Sequence, residues 1–263
     1  MSSSSNLRNS SVKTDTSKVE FDVNLSCKGC ASSVEKVLTG IPEVKIIDID
    51  VEKQSVVVES SLPSQRIKEA IESTGKRAVL KGFGTKVESA VAELKGENGL
   101  FGVIRFHQTD KDLCIIDGTV DGLPSGEHGL HIHEFGDLSQ GCESIGPHFN
   151  PTNSTHGGKE DPIRHYGDLG NIVADSNGRA SFRIQDNTIK VYDIIGRSIA
   201  VSADKDDLGK VENPLSVIDG NSGKGLAAAI IARSAGLFEN PKRICQCDGV
   251  SIWDENTALS SSL

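Results

Sequence analysis

The sequence predicts two domains of different class, a small α+β unit followed by a larger all-β unit of Greek-key barrel or sandwich type. Three observations carry this expectation. The 263 residues exceed the usual size of one domain. Aromatic residues make up only 4% of the chain while Gly numbers 27, a composition suited to many short strands and tight turns rather than to a helical bundle. The apolar periodicity also changes at Gly82-Phe83-Gly84, from mixed helix and strand spacing to repeated short runs.

Residues 1–17 are Ser-rich and polar, without the apolar stretch of a secretory signal, and are expected to form a disordered leader. The first domain is placed at 18–82. Residues 19–25 alternate like a half-buried strand, 26–30 read as a turn, and 31–38 as a helix stopped by Gly40. Two β-branched runs, 44–51 and 54–60, flank Glu52-Lys53 and read as a hairpin. Ser61 is suited to cap a second helix, with Pro63 near its first turn and Ile67, Ala70 and Ile71 as its apolar stripe. A last strand at 76–81 completes the order βαββαβ, the ferredoxin-like pattern.

The second domain is placed at 86–235, with strands at 89–95, 99–108, 113–120 and 180–184 and turn signals at Asp121-Gly122 and Ser176-Asn177-Gly178. Segments 136–168 and 204–223 lack strand patterning and are long enough to be functional loops. Residues 236–263 are expected to be a flexible tail. The net charge of -9 opposes nucleic-acid binding, which needs clustered cations. No run of about eighteen apolar residues is present to span a membrane. The default compartment is the reducing cytoplasm, where closely spaced cysteines more often bind metal or do redox chemistry than staple a fold.

Six cysteines and a histidine cluster carry the chemistry. Cys27 and Cys30 sit where a strand gives way to a helix, whose N–H groups favour thiolates. Two thiolates on one loop suit Cu(I), with Lys28 placed to offset the charge; half a zinc site or a thioredoxin-like redox pair fits the bare spacing too. With its βαββαβ setting, the segment 19–81 resembles the heavy-metal-associated domains of copper chaperones and copper-pumping ATPases. Leu25 stands where they carry Met, a volume-similar exchange that leaves copper binding expected.

His131 and His133, at i and i+2, project from one face of a strand. His148, His156, His165 and Asp168 follow in the long loop, too many for ordinary core histidines. The segments GLHIHEFGD, GCESIGPHFNP, THGG and RHYGDLGN resemble the Cu/Zn superoxide dismutase family over about 86–235. That resemblance implies a zinc site of His148, His156, His165 and Asp168, with Asp206 linking it to a copper site of His131, His133 and the bridging His148. The family's fourth copper ligand falls on Ser202, a poor ligand for cycling copper. Gly225 and Ile218 replace its steering arginine and lysine, removing much of the local field that speeds anion capture. Its disulfide would join Cys142 to a position that here is Ala228, and Cys114 reads as a buried small hydrophobe.

Cys245 and Cys247 form a C-x-C pair, too close for an easy disulfide yet able to chelate Cu(I) or exchange with another protein's sulfurs. The order of parts resembles the family of copper chaperones for superoxide dismutase. The resemblance implies a non-enzymatic carrier of Cu(I) with a resident Zn(II), docking on Cu/Zn superoxide dismutase as a heterodimer through Phe135-Gly136 and Ile195-Gly196 and promoting disulfide formation there. The same face would serve a homodimer, and the mitochondrial intermembrane space is a second compartment by resemblance. The alternative is a Cu/Zn superoxide dismutase with an appended copper-loading domain; a weaker one is a structural module whose cysteine pairs share zinc.

Overall fold

The computed structural model describes residues 15–84, 88–109 and 112–239. The first domain has the expected βαββαβ order: β1 (Ser17–Val23), α1 (Lys28–Thr39), β2 (Val44–Asp50), β3 (Ser55–Ser60), α2 (Ser64–Glu72) and β4 (Ala78–Phe83). The four strands lie in the order β2-β3-β1-β4, all antiparallel. Alternation along β1 sends Val19, Phe21 and Val23 into a core shared with Val34 and Leu38 of α1 and Ile67 and Ile71 of α2. Each pair of helix residues is spaced i, i+4, so the two helices present narrow apolar stripes to the sheet. Leu25 joins this core at 1% exposure and supports the cysteine loop from below.

Strands β1 and β4 are each displaced by two residues from the expected 19–25 and 76–81, and two further differences bear on the sites. Helix α1 begins three residues earlier than 31, which brings Cys30 into its first turn. Ser61 does not cap α2: Pro63 occupies the N-cap position and Ser64 opens the helix. The Ser64 N–H, one of the donors an N-terminus leaves open, donates to Asp117 Oδ2 in the second domain at 2.9 Å, and its hydroxyl donates to Asp117 Oδ1. The helix is therefore capped by the other domain.

The second domain contains β5 (Ser89–Gly96), β6 (Phe101–Gln108), β7 (Cys114–Asp121), β8 (Gly126–His133), β9 (Asp168–Ala174), β10 (Ala180–Asp186), β11 (Ser198–Ser202), β12 (Gly225–Ile230) and β13 (Ala232–Arg233). Their order is β10-β7-β6-β5-β12-β11-β8-β9, with β13 beside β5. Consecutive β7 and β8 thus lie apart, the mark of a Greek-key crossing. The edge strands β9 and β10 lie alongside each other, so the antiparallel sheet is nearly closed into a barrel. Its core includes Leu94, Ile104, Phe106, Ile116, Leu130 and Ile132, all fully buried.

The domains are joined through a buried polar contact and an apolar one. Arg183 donates to Leu62 O at 3.1 Å and Ser17 Oγ at 2.8 Å, and lies 3.8 Å from Asp117. Leu113 and Ile115 of the barrel belong to the apolar cluster of the first domain. Gly84, at the junction, has φ +76°, and a Cβ there would overlap the His107 ring. Beyond β13 the chain returns to the first domain: Leu237 is buried, its N–H donates to Gly84 O, and the Phe238 N–H donates to Glu20 Oε2 at 3.0 Å. Among the described residues no helix is long and apolar enough to cross a membrane.

Candidate metal centres

Cys27 is the N-cap of α1, in extended conformation, and Cys30 follows one turn later. Their sulfurs lie 3.3 Å apart and neither is in a disulfide. Hydrogen bonds from Ser26, then Cys27, with Lys76 also contributing, lower the Cys30 pKa from 9.0 to about 6. The exposed Cys27 and half-buried Cys30 thus form an accessible pair in which Cys30 has thiolate character near neutral pH. Lys76, in the turn before β4, was not singled out from the sequence, because only the fold brings that turn to the loop.

At the other centre, β8 carries His131 and His133, and the 136–168 loop leaves β8 and returns at β9, which begins on Asp168. A local bridge pairs His133 with His148, drawing the loop's first ligand onto the barrel wall. Asp168 Oδ1 is surrounded by three imidazole nitrogens, His148 Nδ1 at 2.8 Å, His156 Nδ1 at 3.0 Å and His165 Nδ1 at 3.2 Å. The Nδ1 atoms of His156 and His165 are buried without a hydrogen-bond partner. Three convergent nitrogens around one carboxylate, two of them orphaned, fit a closed tetrahedral zinc shell.

Protonation follows the same logic. Burial works against the Asp168 carboxylate, but His148, His156 and His165 together hold its pKa far below the usual range. Burial pushes His148 down to about 4 and lowers His131, favouring neutral imidazoles. His156 is opposed by burial, yet its contacts with Asp168 and Asp206 raise it to about 9. A metal there would take the place of that proton. Asp206 spans the two clusters: His131 Nε2 donates to its Oδ2 at 2.9 Å and His156 Nε2 to its Oδ1 at 2.8 Å. Arg164 fixes the loop by donating to the carbonyls of His165, Tyr166 and Asp168 and to Asp186. This role escaped sequence reading because Asp186 is distant in the chain.

The neighbouring His131, His133 and His148 cluster beside this group. His131 and His148 stack with ring centroids 4.0 Å apart, and His133 lies edge-on to His148 at 5.0 Å. His133 Nδ1 donates to Gly146 O at 2.8 Å, and the buried His131 Nδ1 is unpartnered. At the end of β11, Ser202 is buried and its hydroxyl accepts from Ser222 at 3.1 Å. Ser202, Ile218, Gly225 and Cys142 line one cavity of about 280 Å³ with His133 and His148. Cys142 is a free thiol clustered with Ile145, Ala200 and Ala228, and a Cβ at Gly225 would lie 2.7 Å from its sulfur. Cys142 thus packs against the backbone at Gly225. Cys114 is fully buried and burial pushes its thiol pKa up, so it acts as core.

Phe135-Gly136 and Ile195-Gly196 lie side by side: Ser198 donates to Phe135 O, and a Cβ on Gly136 would collide with Gly196 O. Phe135 is 54% exposed. Cys245 and Cys247 lie outside the described residues, as do residues 1–14 of the leader and the tail from 240 onward.

Residues 20–77 match the heavy-metal-associated domain family and residues 100–231 the copper/zinc superoxide dismutase family. The chain is 52% identical over 241 residues to the mouse copper chaperone for superoxide dismutase, covering 90% of this chain and 88% of the mouse protein. It is 39% identical over 239 residues to the Arabidopsis thaliana copper chaperone for superoxide dismutase, chloroplastic/cytosolic, covering 89% and 69%. An extracellular Cu-Zn superoxide dismutase of Brugia pahangi is 47% identical over 158 residues, covering 57% of this chain and 79% of that protein. With both domains matched and 52% identity to the mouse protein over 90% of this chain, the chain belongs to the family of copper chaperones for superoxide dismutase.

Proposed function

We propose that the chain is a copper chaperone that delivers Cu(I) to Cu/Zn superoxide dismutase and promotes disulfide formation in that enzyme, and is not itself a dismutase. The observation that carries this reading is the contrast between the two centres. The accessible Cys27–Cys30 pair offers two soft sulfurs, with Cys30 in thiolate form near neutral pH, to carry Cu(I) as cargo. The barrel has Ser202, already hydrogen bonded to Ser222, where a dismutase would need a fourth copper ligand.

In this reading Cys27 and Cys30 acquire copper. His148, His156, His165 and Asp168 hold a structural zinc that organises the long loop; a complete protein shell leaves no open position for water activation. Phe135, Gly136, Ile195 and Gly196 dock the target as a heterodimer, or a second copy as a homodimer. Cys245 and Cys247 pass copper on and exchange sulfurs with the target, while an external oxidant takes the two electrons released when its thiols become a disulfide. The domain boundaries 18–82, 86–235 and 236–263 follow these roles, and the thiol chemistry suits the cytoplasm. A tail tethered to a docked body raises the effective concentration of its thiols at the target.

The test is co-incubation with reduced, zinc-loaded, copper-free dismutase, following enzyme activity and disulfide formation. Wild type restores both. The Cys245→Ser/Cys247→Ser chain is expected to lose disulfide formation and most activation; maturation equal to wild type would overturn the assignment.

A further inference from the structure

We propose that Arg197 is a positioning residue that couples zinc occupancy to docking of the target. This rests on the reading that Phe135-Gly136 and Ile195-Gly196 form the docking face. A side-chain path connects that face to the proposed zinc ligands. His148 is followed by Phe149 and His165 by Tyr166, and these two rings meet edge to face with centroids 5.9 Å apart. Backbone bonds join the same pieces: the Gly167 N–H donates to Phe149 O at 2.9 Å, and the Phe149 N–H donates to Ile132 O at 2.8 Å. A metal gathering His148 and His165 therefore fixes the Phe149 ring.

The Arg197 guanidinium lies on that ring, with Cζ 3.8 Å from its centroid. From there Arg197 Nη1 donates to both Glu134 O and Glu134 Oε1 at 2.9 Å, and Nε donates to Asp193 O at 2.8 Å. Glu134 immediately precedes Phe135-Gly136, and Arg197 immediately follows Ile195-Gly196. One planar group thus touches the aromatic ring beside two zinc ligands and braces both halves of the docking face. A lysine could not reproduce this, since it has no planar face and no fixed fork of donors.

If zinc orders Phe149 and Arg197 transmits that order, zinc must tighten docking, and docking must tighten zinc by the same factor. The test measures the dissociation constant of the full chain for reduced, copper-free dismutase, with and without zinc bound, for wild type and Arg197→Met. Zinc is expected to tighten wild-type docking about tenfold or more and to change Arg197→Met docking less than about twofold. Zinc stoichiometry of the free chains should stay the same. Phe149→Leu, which cuts the path away from the docking face, should abolish the zinc response in the same way and provides the test if Arg197→Met fails to fold. The proposal is overturned if zinc leaves wild-type docking unchanged, if Arg197→Met weakens docking equally in both zinc states, or if either variant keeps the full zinc response. Failure of the docking-face reading is seen separately, as Phe135→Glu binding the target as tightly as wild type.

Discussion

Ser26, Cys30, Ser202 and Gly225 carry most of the functional argument between them. The Ser26 hydroxyl, 3.3 Å from Cys30 Sγ, contributes most to the low thiol pKa. Thiolate is the reactive form, so alkylation of Cys30 should fall as pH drops through about 6, where an ordinary cysteine would already have lost its reactivity near 9. Ser26→Ala should move that midpoint upward, as read by the pH profile of iodoacetamide labelling; an unchanged midpoint would show that Ser26 does not set it. Ser202→His is expected to complete the copper ligand set with His131, His133 and His148, since the adjoining cavity of about 280 Å³ leaves room on one side. Copper should then bind the barrel and some superoxide dismutation appear. The rate should stay roughly 10- to 1,000-fold below that of a dismutase, because Gly225 and Ile218 supply neither steering cation and the cavity wall holds Lys224 beside the acidic Glu143 and Asp219. Absence of copper from the barrel of this variant would refute the ligand assignment.

Asp117 and Arg183, on adjacent strands β7 and β10, are 3% and 5% exposed and bind the first domain from the barrel wall. Asp117→Ala removes the cap of α2 and leaves Arg183 without its nearby carboxylate, a loss that for buried pairs costs about 3–5 kcal/mol. The expected result is a lower melting temperature with earlier proteolysis between the domains; an unchanged stability would mean that the contact contributes little. This contact also marks the limit of what the sequence tells. The βαββαβ order was legible because alternation and i, i+4 stripes are local, and the His131/His133 pair was legible because i and i+2 share a strand face. The trans cap of Ser64, the approach of Lys76 to Cys30 and the clasp of Arg164 on Asp186 were not, since each joins residues brought together only by tertiary packing. Ser61 was misread for the same reason: a capping residue was expected in the local sequence, and the acceptor came from another domain.

Across the whole molecule the two domains share one apolar cluster, through Leu113 and Ile115, and the returning segment at Leu237 and Phe238 ties the chain's end back to β1 and the junction. The Cys27–Cys30 loop follows the end of β1 opposite Ser17, the residue that Arg183 holds. The shared interface holds the two domains together through that end of β1 and through Leu113 and Ile115. It also links the fates of the domains. On the proposed zinc site, zinc would bind the folded barrel only, so removing it would withdraw stabilisation that grows with the logarithm of free zinc over its dissociation constant. Because Leu113, Ile115, Asp117 and Arg183 are buried where the domains meet, that loss should be felt by both domains. Chelation of zinc is expected to shift one cooperative calorimetric transition downward by more than about 5 °C, with faster amide exchange in β1 and α2 as well as in the 136–168 loop. Two separate transitions, with the first domain's exchange unaffected by zinc, would show instead that the domains are energetically independent and that Asp117, Arg183 and Leu237 only set their relative position.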